Sequence, residues 1–143
     1  MAKSVKLQVI TPSKLFFSGD IEMVVVRTLT GEEGFMANHS WACKLLGVGE
    51  LAIQEAGGKE LKIAAVSGGF IDVKEDIVIY TDSAEWSEGI DKERALTAKS
   101  KDEEWLSEHR DTGEGPEEIE RVKVDLSKQA LRVKVADGGR RKK

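Results

Sequence analysis

Leu61-Lys62-Ile63-Ala64-Ala65-Val66-Ser67-Gly68-Gly69-Phe70-Ile71-Asp72-Val73-Lys74-Glu75-Asp76-Ile77-Val78-Ile79-Tyr80 contains three short apolar runs separated by Gly68-Gly69 and Lys74-Glu75-Asp76. Each run is strand length, rich in β-branched residues and too short for a helix. The same grammar extends back to the start. Val5, Leu7 and Val9 alternate with Lys6 and Gln8 until Pro12-Ser13. Leu15-Phe16-Phe17 is followed by Ser18-Gly19-Asp20, Ile21 to Leu29 by Gly31-Glu32-Glu33-Gly34, Trp41 to Leu46 by Gly47-Val48-Gly49, and Leu51 to Ile53 by Gly57-Gly58. Strands at this spacing, without helical crossovers, predict an antiparallel sandwich or barrel over residues 3 to 83.

The pattern changes after Trp86. Ile90 to Arg110 is dense in Ala, Leu, Glu and Lys, which favour helix. Asp91 or Ser87 can cap its start, and Leu96, Ala98, Trp105 and Leu106 form a broken apolar stripe. Asp111 to Pro116 reads as a turn, with Pro116 opening a second helix over 117 to 136. There Ile119, Val122, Leu126, Ala130 and Val133 recur at helical intervals. A strand reading competes, because Val122 to Leu126 and Leu131 to Val135 also alternate. Acidic residues 117, 118 and 120 in the first turn favour the helix. The tail 138–143 is basic and is expected to be disordered.

Charge follows the same division. The 143 residues carry 26 acidic and 22 basic side chains, a net −4, which is not the clearly basic balance of a nucleic-acid binder. Residues 1 to 89 hold 8 basic and 13 acidic groups, and residues 90 to 143 hold 14 and 13. No apolar run approaches the roughly 20 residues of a membrane helix. Met1-Ala2-Lys3-Ser4 enters the first alternation without a signal-peptide core. Cys43 is the single cysteine, so no internal disulfide or cysteine-rich zinc site is expected.

Candidates for catalysis are poor. Cys43 lies in the apolar run Trp41 to Leu46, where a small buried hydrophobe is expected. His39 sits in a loop without a paired acid, and the carboxylates form no evident acid and base pair. The glycines precede strands and lack a P-loop ending. Lys128 and Arg132, one helical turn apart, present two cations on one face. The sequence predicts no catalytic residue and no metal site.

Several stretches, in order, are similar to one family. These are Leu7-Gln8-Val9-Ile10-Thr11-Pro12 with Phe17-Ser18-Gly19, then Gly31-Glu32-Glu33-Gly34-Phe35 with His39, then Ser67-Gly68-Gly69-Phe70-Ile71-Asp72-Val73. Thr81-Asp82-Ser83-Ala84-Glu85 and Ile90-Asp91-Lys92-Glu93-Arg94-Ala95 complete the set. Together they resemble the epsilon subunit of the bacterial F-type rotary ATP synthase. Ala37-Asn38 stand where that family has Pro-Gly, and the second helix carries more valine than the family's alanine-rich form.

The resemblance implies a β-sandwich over 1–86, a regulatory helical hairpin over 87–137 and the basic tail over 138–143. It implies a non-catalytic accessory subunit of an H+-transporting synthase, peripheral on the cytoplasmic face of the bacterial plasma membrane through its complex. The implied partners are the gamma subunit, the c-subunit rotor ring, and the alpha and beta subunits once the hairpin extends. Ring contact would fall on Glu32 and His39. Inhibitory contacts with the beta subunits would fall on Arg121, Lys123, Lys128, Arg132 and Lys134. No cofactor is required, but ATP is a candidate regulatory ligand, with or without Mg. Its contacts would fall on Glu85, Ile90, Asp91, Arg94, Ala95, Lys101, Lys128 and Arg132, and Lys101 and Lys128 replace arginines that could grip phosphate bidentately. A generic β-sandwich adaptor and a Cys43 or His39 hydrolase are the competing classes. Co-purification with a gamma subunit separates both from this reading.

Overall fold

Leu7 and Val9, from the apolar half of the first alternation, are completely buried, while Lys6 before them is exposed and Gln8 between them is half-buried. The same rule builds the rest of the computed structural model, which describes residues 3–109 and 115–137. The strands are β1 Val5–Ile10, β2 Leu15–Thr28, β3 Gly31–Met36, β4 Ala42–Leu45, β5 Val48–Glu55, β6 Leu61–Ser67, β7 Phe70–Val73, β8 Ile77–Tyr80 and β9 Ser83–Trp86. A 3₁₀ turn, Ser87–Gly89, leads to helices α1 Lys92–His109 and α2 Pro116–Ala136.

The ladder runs β4-β7-β8-β1-β2-β5-β6-β9, with β3 on the other side of β2. The long strand β2 joins the two layers. Its first half pairs with β1, and its second half lies between β3 and β5. The layers therefore close over one core, formed by Leu7, Val9, Val24, Val26, Phe35, Leu51, Ile53, Ile71, Ile77 and Ile79. Burying each of these larger side chains contributes about 1.5–3 kcal/mol.

Five local expectations change, the first being that Val48-Gly49 open β5 opposite Ser67 and Val66 instead of completing a turn after Gly47. Ser18-Gly19-Asp20 does not break a strand, because all three lie mid-ladder opposite Gln8, Leu7 and Lys6. Gly31 to Gly34 belongs to β3, and the turn before it is Leu29-Thr30. β1 pairs with β8 in parallel. No direct crossover is needed, since all the intervening strands make the connection. Cys43 is exposed, because β4 turns Ala42 toward the core and Cys43 to the opposite face.

The helical reading of the C-terminal part holds. Asp91 caps α1, its Oδ1 accepting the Arg94 backbone N–H at 3.1 Å. Pro116 opens α2. In a helix Leu131 and Val135 lie one turn apart and both reach the sandwich, so packing outweighs the valines' strand preference. On α1 the buried residue is Ala95, whereas Leu96 is 44% exposed. Most of the expected 111–116 turn and the tail 138–143 lie outside the described residues.

Gly69 has φ +96°, and a Cβ there would stand 1.8 Å from the Tyr80 carbonyl oxygen. Gly57 has φ +78° and nothing within 4 Å. Gly57→Ala should therefore cost only the left-handed strain of about 1–2 kcal/mol. Gly69→Ala must also move the β8 backbone and should cost more than about 4 kcal/mol or prevent folding. Urea unfolding of the two variants measures the difference.

Candidate functional site

The layer containing β5 and β6 is apolar on both faces. Leu51, Ile53, Ala64 and Val66 point into the sandwich, and Ala52, Ile63 and Ala65 point outward. Glu50↔Ala65 and Ala52↔Ile63 pair on that outer face. Ile90 and Val135 cover it, assisted by Leu131 and Ala136. This seam between hairpin and sandwich contains the candidate site.

Beside the apolar contact is a cavity of about 200 Å³, lined by Ser67 of β6, Glu85 of β9, and Lys128, Gln129 and Arg132 of α2. Arg132 closes one side of it with a two-point grip on Glu85. Nε donates to Oε1 at 2.8 Å and Nη2 to Oε2 at 3.2 Å, while Nη1 donates to Gln129 Oε1 at 2.9 Å. The Arg132 and Glu85 side chains are 22% and 39% exposed, so this pair is less screened than an ordinary surface bridge. Lys134 lies 4.0 Å from buried Glu50, and Lys92 at the start of α1 bridges Asp137 at the end of α2 at 2.5 Å.

The cavity thus brings together Glu85, Lys128 and Arg132 from the eight residues expected around a nucleotide. Ile90 and Ala95 are buried, Asp91 serves as the helix cap, and Arg94 and Lys101 are exposed on α1. Of the cations expected to meet the beta subunits, Lys128, Arg132 and Lys134 lie along the sandwich in this docked form. Arg121 is exposed and donates to Glu118 at 3.2 Å. Lys123 is also exposed and lies in a cleft with Leu106, His109 and Ile119.

Glu32 and His39 are not neighbours along the chain's path. Glu32 stands near the start of β3 opposite Arg27, in a cleft shared with Glu50, Leu131 and Lys134. Four residue steps along the strand, roughly 13 Å, separate it from Met36. His39 follows in the next turn, with its ring 4.7 Å from that of Phe35 and Nδ1 2.7 Å from the Ser40 carbonyl oxygen. Asn38 takes φ 66° there, a conformation glycine adopts more easily. Beside Glu32, Glu33 accepts from Lys44 at 2.6 Å, and this bond holds its carboxyl below the ordinary range.

Leu131, Val135 and Glu50 were not among the residues expected at the site. Leu131 and Val135 had been visible only as part of the competing strand pattern. A further pair, Asp102 of α1 and Asp125 of α2, meets between the helices. Its sequence separation gave no signal, because it depends on how the helices are aligned. Among the described residues no group of three or more His, Cys, Asp or Glu could hold a metal ion. No described helix is long and apolar enough to cross a membrane.

Arg132→Ala should remove the two-point grip and leave Glu85 half-buried. The expected cost is about 1–3 kcal/mol of hairpin docking, read as lower amide protection in α2 with β1 and β8 unchanged. Combined with Glu85→Gln, it should lose much less than the sum of the two single effects.

The family profile "ATP synthase, Delta/Epsilon chain, beta-sandwich domain" matches residues 4–87. The ATP synthase epsilon chain of Desulforamulus reducens is 40% identical over 139 residues, covering 96% of this chain and 100% of that one. The corresponding chain of Caldicellulosiruptor bescii is 38% identical over 133 residues, covering 92% and 93%. Among solved structures, a chain of the Euglena gracilis mitochondrial ATP synthase OSCP/F1/c-ring assembly aligns with a TM-score of 0.75 at 21% identity, over 90% of this chain and 78% of that one. The sandwich, the two-helix arm and full-length relatives agree, and the chain belongs to the family of ATP synthase epsilon chains.

Proposed function

We propose that this chain is the non-catalytic central-stalk subunit of an F-type ATP synthase. The sandwich docks on the gamma subunit and meets the c-subunit ring, coupling the catalytic head to the membrane rotor. Its place on the cytoplasmic face of the bacterial membrane is then held through the complex. The hairpin inhibits ATP hydrolysis when it leaves the sandwich and extends between the alpha and beta subunits.

The observation that best supports this reading is the composition of the seam. Among the described residues α2 meets the sheet through Leu131, Val135 and Ala136, with ion pairs from Arg132 and Lys134 beside them. Such an interface is worth a few kcal/mol, within the range that a binding partner can reverse. Undocking would free Arg132 from Glu85 and turn Lys128, Arg132 and Lys134 toward acidic surfaces of the beta subunits. On the helix Arg121 continues the side that carries Lys128 and Arg132, and Lys123 the side that carries Lys134. Glu32 and His39, at the two ends of β3, are the proposed ring contacts.

ATP would act here as a weak regulator. The cavity is smaller than the roughly 300–1,000 Å³ of ordinary ligand pockets, and Arg132 already has a carboxylate partner. A triphosphate would have to displace Glu85, using Arg94 and the lysines 101 and 128. The Glu85 carboxylate therefore supplies without a ligand the anion that a phosphate would otherwise provide.

Deleting residues 90–143 should raise the ATPase activity of the reconstituted complex while co-purification with gamma persists, and unchanged ATPase activity would sink the inhibitory reading. Calorimetric titration with ATP, with and without Mg, should give millimolar binding that Arg94→Ala abolishes. Binding indifferent to Arg94→Ala would remove α1 from the nucleotide site.

A further inference from the structure

The helices of the hairpin run antiparallel in a fixed alignment. Lys92 meets Asp137 at one end, and Leu106 and His109 meet Ile119 and Lys123 at the other. Asp102 and Asp125 meet on the same alignment between them. Asp102 Oδ2 is sealed from solvent, and no hydrogen-bond donor among the described residues reaches it. On the other side of the pair, Asp125 Oδ1 accepts from Gln129 Nε2 at 3.4 Å. Two ionised carboxylates in this position repel each other. One proton reverses the interaction, because a protonated carboxyl donates to its neighbour.

We propose that Asp102 and Asp125 form a proton-operated lock within the hairpin: sharing one proton they hold α1 against α2, and with both ionised they push the helices apart. Among the elements α1 packs chiefly on α2, so the facing groups come from α2. The one that meets Asp102 is the Asp125 carboxylate, which itself accepts from the Gln129 amide. Lys128 lines the cavity toward Glu85, Lys123 lies in the distal cleft, and Arg121 is engaged with Glu118. On α1 itself Lys101 and Glu103 are exposed and Lys99 is half-buried.

Burial first, and then the Asp125 carboxyl, raise Asp102 from 3.8 to about 6. Between those two values the closed hairpin keeps a proton that an open one releases. Closure is therefore favoured as pH falls through about 6 and loses this support above it. For its effect on ATPase activity the lock rests on the inhibitory reading above: neutral and alkaline conditions loosen the arm that would extend.

The test is hydrogen exchange on the full chain, expressed as protection factors so that the intrinsic pH dependence of exchange cancels. From about pH 5 to about pH 7.5, protection of α1 and α2 should fall about tenfold or more, while β5 and β6 keep theirs. Asp102→Asn supplies a permanent neutral donor and should keep the hairpin protected throughout, and Asp125→Asn should do the same from the other helix. Wild-type protection that ignores pH, or a wild-type fall retained in both variants, would overturn the lock. The reconstituted complex separates the two readings. If Asp102→Asn holds the hairpin closed at about pH 7.5 yet ATPase inhibition persists, the lock stands and the inhibitory reading fails. Relief of inhibition by the same variant supports both.

Discussion

A sheet that is apolar on both faces must be covered on both, and this constraint organises the whole chain. β5 and β6 give Leu51, Ile53, Ala64 and Val66 to the sandwich core, leaving Ala52, Ile63 and Ala65 for something else to cover. Water on that second face would cost about 25 cal/mol for each Å² of apolar surface. Ile90 and the last turns of α2 cover it. The fully buried outer residues are few, however: two alanines beside one isoleucine, with Val25 and Leu61 only partly buried around them. That allows α2 to approach closely while limiting the energy of the contact, so the arm is attached far more weakly than the sandwich layers are to each other.

Electrostatics then directs an interface that apolar contact alone would leave loosely specified. Arg132 reaches Glu85 on β9, Lys134 reaches toward Glu50 on β5, and Lys92 ties the start of α1 to the end of α2. These partners belong to three different elements, so they fix the rotation and the position of α2 together. Only the bidentate pair is shielded enough to contribute strongly. On the inhibitory reading proposed above, Arg132 and Lys134, which hold the docked arm, are also cations it would present after leaving.

Much of the sandwich was legible because its signals are local. Alternation at Val5 to Val9 and the glycine pair 68–69 report burial and turns directly. Glycine alone does not mark a turn in this chain. Gly19 and Gly34 lie within strands, where their neighbours' pairing decides the conformation. Cys43 was misplaced because a four-residue edge strand carries too little pattern to tell its faces apart. The parallel β1 and β8 pair joins distant parts of the chain, and no periodicity records it.

The site was legible only where function-bearing residues could be recognised by type. Glu85, Lys128 and Arg132 do converge, but the sequence could not say that Arg132 would already be engaged by Glu85. Nor could it align α1 with α2, since a helix pattern specifies a face and not its position along a partner. That alignment is what brings Asp102 to Asp125. The placement runs against local electrostatic preference, because a basic residue at either position would have stabilised the hairpin at every pH. A like-charge pair instead makes closure of α1 on α2 conditional on a proton, separately from the apolar seam that docks α2 on the sandwich.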